Sequence, residues 1–331
     1  MTGQFRAALL LVTSVAFVML GSPALANGDG DTVGVVDQTS GIWYLRDPSN
    51  GATTSFYYGN PGDFPVAGDW NGDGIDTPGL YRQSDGFVYL RLSNTQGNAN
   101  IKFFFGNPGD VPLAGDFNGD GRDTISIWRP HEARVYVINE LGENNGGLGA
   151  ADFFFDFGNP ADEPFVADFN GNGVDSVGLH RESTGLVYYR NSLTTGIAEE
   201  SFIYGDPGHK IIAGDWAQKP ASGQETVGIF RPLNGTFYLR FTNSQGNANT
   251  QFVYGNLNVL PVAATSELSP AVTRLRRDRS SAKPRRSPTL LTVTPSTSAS
   301  GTPLIGFGSS ASTLPSAGSV ISTKPPTVSP R

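Results

Sequence analysis

Between Thr32 and Ala264 the chain is a succession of short runs of β-branched and aromatic residues, each closed off by Gly, Pro, Asn or Asp. Runs of this length between turn formers predict strands. The runs are also copies of one another. One set reads "TVGVVD", "TPGLYR", "TISIWR", "SVGLHR" and "TVGIFR". The next reads "GIWYLR", "GFVYLR", "RVYVIN", "GLVYYR" and "GTFYLR", with Tyr44, Tyr89, Tyr136, Tyr188 and Tyr238 in register. A third set ends in "YGNPGD", "FGNPGD", "FGNPAD", "YGDPGH" and "YGNLNV", and leads into "FPVAGD", "VPLAGD", "PFVAD", "IIAGD" and "LPVAA".

Asp69, Asp116, Asp168 and Asp215 open equivalent loops at separations of 47, 52 and 47 residues. A repeat of four strands at this period predicts an all-β chain folded as a β-propeller with five four-stranded blades. The ends of the array fit a closed ring. The first strand of the array aligns with a second blade strand, and the last, Leu260 to Ala264, aligns with the first strand at Phe64 to Gly68. Pairing the two would complete one blade and leave no open sheet edge.

Composition narrows the class. With 42 Gly and 23 Pro, many tight turns are expected and a helical protein is not. No cysteine is present, so disulfides, thiolate metal sites and a cysteine nucleophile are excluded together. Arg6, the apolar run Ala7 to Leu20 and the small residues Ala24 and Ala26 read as a secretory signal peptide over 1–26, with the mature chain starting at Asn27. A secreted, extracellular product without a transmembrane segment after cleavage is the expectation. Residues 27–265 carry 13 Lys and Arg against 28 Asp and Glu, a poor match for nucleic acid. Residues 266–331 are rich in Ser, Thr, Pro and Arg and read as a disordered tail, or as the product of a frame change or truncation within a longer array.

Much of the acidic charge falls in three loops, "DWNGDGID", "DFNGDGRD" and "DFNGNGVD". Asp69, Asn71 and Asp73, the Ile75 carbonyl and Asp76 offer alternating hard oxygens around a glycine turn, which suits calcium. Asp116, Asn118, Asp120, the Arg122 carbonyl and Asp123 form the second set. Asp168, Asn170, Asn172, the Val174 carbonyl and Asp175 form the third, weaker by one charge at Asn172. Asn-Gly and Asp-Gly are also ordinary hairpin turns that need no ion. The fourth loop keeps Asp215 and loses the other ligands, so no metal is expected there.

The stretch "FGNPGDVPLAGDFNGDGRDTISIWRP" resembles the FG-GAP, or VCBS-type, repeat of exported bacterial proteins and of the integrin α-chain propeller. The resemblance covers about residues 27–265. It implies a propeller with structural calcium between first and second strands, and a role in cell adhesion or ligand binding. That repeat carries its last carboxylate at loop position 9. Here Asp76, Asp123 and Asp175 stand at position 8, which leaves the final ligand open.

Catalytic chemistry finds little support. A glycosidase needs two carboxylates facing across a sugar, and Glu132, Glu140, Glu163, Glu182, Glu199 and Glu200 form no such constellation. His131, His180 and His209 fall at non-equivalent positions, His180 taking the place of Tyr81, Trp128 and Phe230. The expectation is an extracellular scaffold for a glycan or protein ligand without catalytic activity. The alternative is a polysaccharide-active enzyme, glycosidase or lyase, on the same fold. Trp70, Phe117, Phe169 and Trp216 are expected as plugs between blades. Arg46, Arg91, Arg190 and Arg240 are expected as solvated edge charges.

Overall fold

Each repeat forms one four-stranded antiparallel sheet in the computed structural model, which describes residues 31–48, 50–142, 150–217 and 223–265. The expected signal peptide and tail lie outside the described residues. Blade I contains β1 (Asp31–Asp37), β2 (Ile42–Arg46) and β3 (Thr53–Tyr57). Blade II is β4 (Phe64–Gly68), β5 (Thr77–Arg82), β6 (Phe87–Leu90) and β7 (Ile101–Phe104). Blade III is β8 (Val111–Gly115), β9 (Thr124–Arg129), β10 (Arg134–Val137) and β11 (Phe153–Asp156). Blade IV is β12 (Glu163–Ala167), β13 (Ser176–Arg181), β14 (Leu186–Tyr189) and β15 (Glu200–Ile203). Blade V is β16 (Lys210–Gly214), β17 (Thr226–Arg231), β18 (Thr236–Leu239) and β19 (Thr250–Val253). The last strand, β20 (Val259–Thr265), returns to blade I and pairs with β1.

The first strands β4, β8, β12, β16 and β20 touch one another in cyclic order, so the five sheets close into a ring, a five-bladed β-propeller. The closing ladder runs from Asp31 opposite Thr265 to Asp37 opposite Val259. It is two residue pairs longer than the ladder of β4 on β5. A long seam suits the one place where the ring joins strands from opposite ends of the array.

Position in the blade explains the polarity pattern. Second strands such as β9 are buried along most of their length, because neighbouring blades cover both their faces, and they read as continuous apolar runs. Outer strands face solvent on one side, leaving Phe104, Phe154, Ile203 and Val253 exposed. The expected plugs are found. Trp70 of blade II shares a buried cluster with Ile125 and Ile127 of blade III, and Phe117 of blade III with Val177 and Leu179 of blade IV. Phe169 joins blade IV to Val227 and Ile229, and Trp216 joins blade V to Val33 and Val35. Trp43 and Leu80 complete the ring between blades I and II.

Closure leaves no room at Gly34, where a Cβ would lie 2.8 Å from Leu45 Cδ2 and 2.9 Å from Val262 Cγ2. Gly34→Val should therefore cost about 1 to 3 kcal/mol, the usual range for overpacking. Thermal unfolding checks this, and an unchanged midpoint would mean that β20 does not seat against β1 as described.

Candidate functional site

The three acidic loops connect first to second strands in blades II, III and IV, which places them on one face of the ring. Their carboxylates fold inward onto the loop's own backbone. Asp69 Oδ1 accepts from the N–H groups of Gly72 (2.7 Å) and Asp73 (3.0 Å), and Oδ2 from Gly74 (2.7 Å). Asp116 repeats this with Gly119, Asp120 and Gly121. Asp168 does so with Asn172 and Gly173. Such a turn needs φ near +86° at Gly74 and Gly121. A Cβ there would meet nothing within 4 Å, so backbone conformation, not space, requires glycine.

The same N–H draws two side-chain oxygens together. Asp73 N donates to Asp69 Oδ1 and to Asn71 Oδ1, Asp120 N to Asp116 and Asn118, and Asn172 N to Asp168 and Asn170. Position 5 adds a carboxylate at Asp73 and Asp120, which accepts from the N–H of Ile75 or Arg122; Asn172 accepts likewise from Val174. Each loop thus gathers hard oxygens from positions 1, 3 and 5, a donor set that fits calcium. Only two of these are carboxylates in the first two loops. Accordingly, no group of three or more His, Cys, Asp or Glu among the described residues is arranged to hold a metal. Burial, joined by the nearby Asp120 charge, holds the Asp116 acid above the ordinary carboxylate range even though backbone donors oppose it.

The position-8 acids do something the sequence did not suggest. Asp123 reaches back to the preceding blade, where its Oδ2 accepts from Asp69 N at 2.7 Å, while its own N–H donates to Asp69 O at 3.0 Å. Asp175 makes the same two bonds to Asp116, Glu225 to Asp168, and Asp31 to Asp215. These are clasps between consecutive blades. Asp76 lies in the remaining loop and its carbonyl accepts from Asn94 Nδ2. A signal for the clasp was present in the sequence: Asp31 and Glu225 keep the acid in loops where the calcium pattern is broken.

The recurring arginines also differ from expectation. Arg46 and Arg240 are buried, not solvated. Arg91 binds the carbonyls of Thr95, Gln96 and Asn98, and Arg240 those of Asn247 and Gln245, so each organises the loop between third and fourth strands of its blade. Arg190 does the same through Ile197, Ser192 and Thr194. The guanidinium satisfies loop carbonyls that would otherwise lack donors.

On the opposite face, a carboxylate just before the first strand binds an arginine at the end of the second. Asp63 holds Arg82 through two bonds (2.8 and 2.9 Å), Asp110 holds Arg129 (2.9 and 2.9 Å), and Asp162 holds Arg181 (2.9 and 3.2 Å). The guanidinium in each blade also lies over the in-register Tyr89, Tyr136 or Tyr188. Each carboxylate further caps its own turn at Asn60, Asn107 or Asn159. Blade V replaces the carboxylate with His209, whose Nδ1 accepts from Asp206 N at 3.0 Å and must therefore be unprotonated there. Burial pushes the His209 imidazolium down from its ordinary value.

Several of the acids weighed for catalysis are paired with other groups. Lys210 lies between Glu163 (3.5 Å) and Glu182 (3.3 Å), which raise its amine against the opposing effect of burial. Glu132 is held by Tyr136 and faces Arg129 and Arg134, and Glu199 accepts from Asn191. His180 is fully buried with Nδ1 3.4 Å from Glu163, and its Nε2 has no hydrogen-bond partner. His131 is exposed beside Glu132.

No family model matches the chain, and no curated protein aligns with it significantly. Among solved structures, the chain is similar to a protein of unknown function from Bacteroides caccae, at 9% identity over 68% of this chain and 73% of that one, with a TM-score of 0.40. It is also similar to BBS1N solved in complex with ARL6DN, at 9% identity over 66% and 63%, TM-score 0.36. A third is the V. cholerae biofilm matrix protein Bap1, at 16% identity over 70% of this chain and 40% of Bap1, TM-score 0.29. The propeller itself rests on the strand topology. Among the described residues no helix is long and apolar enough to cross a membrane.

Two outcomes follow from the clasp and from His209. Asp123→Ala leaves the Asp69 N–H buried without its acceptor and should cost about 1 to 3 kcal/mol in urea unfolding. Asp123→Asn, which keeps an acceptor oxygen, should cost less, and the order should hold in chelator; equal and negligible losses would remove the clasp. For His209 the folded chain resists protonation, so stability is unaffected well above pH 6.5 and falls as pH drops through that unfolded-state value. His209→Gln should flatten the decline of the urea midpoint between pH 7 and 5, roughly one unit either side of the free imidazole; an identical slope in both proteins would count against a buried neutral ring.

Proposed function

We propose that this chain is a secreted FG-GAP, or VCBS-type, propeller whose acidic loops hold structural calcium, and that it serves as an extracellular ligand-binding or adhesion scaffold without catalysis of its own. The observation that carries the reading is the gathering of side-chain oxygens from positions 1, 3 and 5 in three equivalent loops on one face. Asp69, Asn71 and Asp73 would hold one ion, Asp116, Asn118 and Asp120 a second, and Asp168, Asn170 and Asn172 a weaker third. The carbonyls of Ile75, Arg122 and Val174 are further donors in that set. Asp76, Asp123 and Asp175 contribute only where an oxygen not used between blades is within reach.

Bound calcium supplies charge neutralisation and fixes the loop, stabilising the folded chain by mass action. Neighbouring loops touch, since a Cβ on Gly72 would meet Arg122 Cγ at 3.3 Å and one on Gly119 would meet Val174 Cγ2 at 3.0 Å.

Thermal unfolding in calcium and in chelator tests the reading. The midpoint should rise with calcium, Asp73→Ala and Asp120→Ala should each shrink that rise, and Asn172→Asp should enlarge it. An identical midpoint in calcium and in chelator removes the ion from the account. Release of reducing ends from a polysaccharide, lost on substitution of a single Glu or Asp, would replace the scaffold with the enzyme.

A further inference from the structure

Arg231 occupies the position of Arg82, Arg129 and Arg181 at the end of a second strand. Those three have their forks filled by Asp63, Asp110 and Asp162. In blade V the facing residue is His209, and among the described residues Arg231 has no carboxylate partner. The ring that lies along Tyr238 is likewise His209, parallel at 6.4 Å, where in blades II, III and IV a guanidinium covers the tyrosine. Arg231 instead lines a cleft of about 420 Å³ at the joint of blades IV and V, with His209, Asp206, Tyr238, Gln245 and Asn247.

We propose that this cleft is a binding site for a carboxylate-bearing saccharide, a uronate, whose carboxylate takes the place of the aspartate missing from blade V. The chemistry of each wall supports it. A planar guanidinium without a carboxylate partner among the described residues presents a fork shaped for a carboxylate. Tyr238 is half-buried, leaving part of its ring and the exposed Ile203 as an apolar wall for a sugar face. Asp206 and the amides of Gln245 and Asn247 line the same cleft with groups that exchange hydrogen bonds with hydroxyls. His209 accepts from Asp206 N through Nδ1 and carries no carboxylate, so it cannot fill the fork of Arg231 as an aspartate would. This site rests on the ligand-binding reading above and names its substrate class.

The test is calorimetric titration of the full secreted chain with a glucuronate-bearing disaccharide and with its methyl ester, in calcium and again in chelator. The acid should bind and the ester should bind at least about tenfold more weakly, as expected for loss of a charge-assisted fork. Arg231→Gln should weaken binding of the acid to the same degree. His209→Asp should do so too, by supplying the internal partner of the other blades, and its preserved or raised unfolding midpoint keeps the result separate from misfolding. Arg82→Gln, in a blade already paired, should leave binding unchanged. Equal binding of acid and ester, no heat with either, or full binding by both Arg231→Gln and His209→Asp would overturn the site. So would an acidic peptide that binds with the same dependence on Arg231 while the disaccharide does not. A chain that binds no uronate yet still melts higher in calcium would overturn this site and leave the scaffold reading in place.

Discussion

A wedge of four strands cannot bury both its faces alone, and the joint between consecutive blades is the constraint on which this molecule depends. With no cysteine in the chain, no disulfide ties one wedge to the next. Four of the five joints, all but that of blades I and II, combine an aromatic plug with a polar clasp. Burying one apolar side chain of this kind contributes roughly 1.5 to 3 kcal/mol, and every joint buries several. A single hydrogen bond contributes only about 1 kcal/mol net. Apolar area therefore holds the blades together, and the clasp decides register. A slip of one residue would leave the N–H of Asp69, at zero exposure, without its carboxylate, a penalty large beside the bond itself.

Loop and joint share their first residue. The side chain of Asp69 organises the turn from Gly72 to Gly74, while its main chain is held by Asp123 of the next blade. Asp116 stands in the same relation to Gly121 and Asp175. Whatever stiffens the turn therefore stiffens the joint, and the seven-residue separation of the two acids of a loop, at positions 1 and 8, serves both ends. The position-8 acid sits where the second strand begins, one residue before Thr77, Thr124 or Ser176, and in blades III and IV it faces the neighbouring wedge. Its offset from the loop that the resemblance implies has a structural reason in blades III and IV, where the acid serves the joint.

Strands, blade number and ring closure were legible in the sequence because they depend on short-range patterning and on the copying of one unit. Leu260 to Ala264 could be matched to Phe64 to Gly68 without any knowledge of contacts. The clasp was harder to see, because Asp69 and Asp123 belong to different copies and meet only when two wedges pack. The buried Arg46 and Arg240 were misread for a related reason. Strand alternation places an arginine at an edge, but says nothing of a loop that folds back so that its carbonyls converge on the guanidinium. The Asp63, Asp110 and Asp162 series lay in the quoted "GNPGD" and "GNPAD" turns, yet its arginine partners come some nineteen residues later, beyond any local motif.

Divergence among the copies is not spread evenly. The first-strand position of Phe64 and Val111 becomes Glu163 in blade IV and Lys210 in blade V, and these two form an ion pair across the joint. His180 stands where blades II, III and V place an aromatic ring, and His209 where blades II, III and IV place a carboxylate. Glu225 replaces aspartate in the clasp, and the loop opening at Asp215 has lost its other acids. All of these fall in the two blades that meet at one joint. A ring of equal wedges offers the same surface at every joint, so a ligand smaller than the ring has no reason to choose among them. Polar replacements buried at a single joint cost stability there, since a desolvated imidazole or amine contributes less than the ring or methyl it displaces. Phe169 still plugs this joint and the other joints keep their apolar clusters, which lets the fold tolerate that loss while one joint acquires a chemistry of its own.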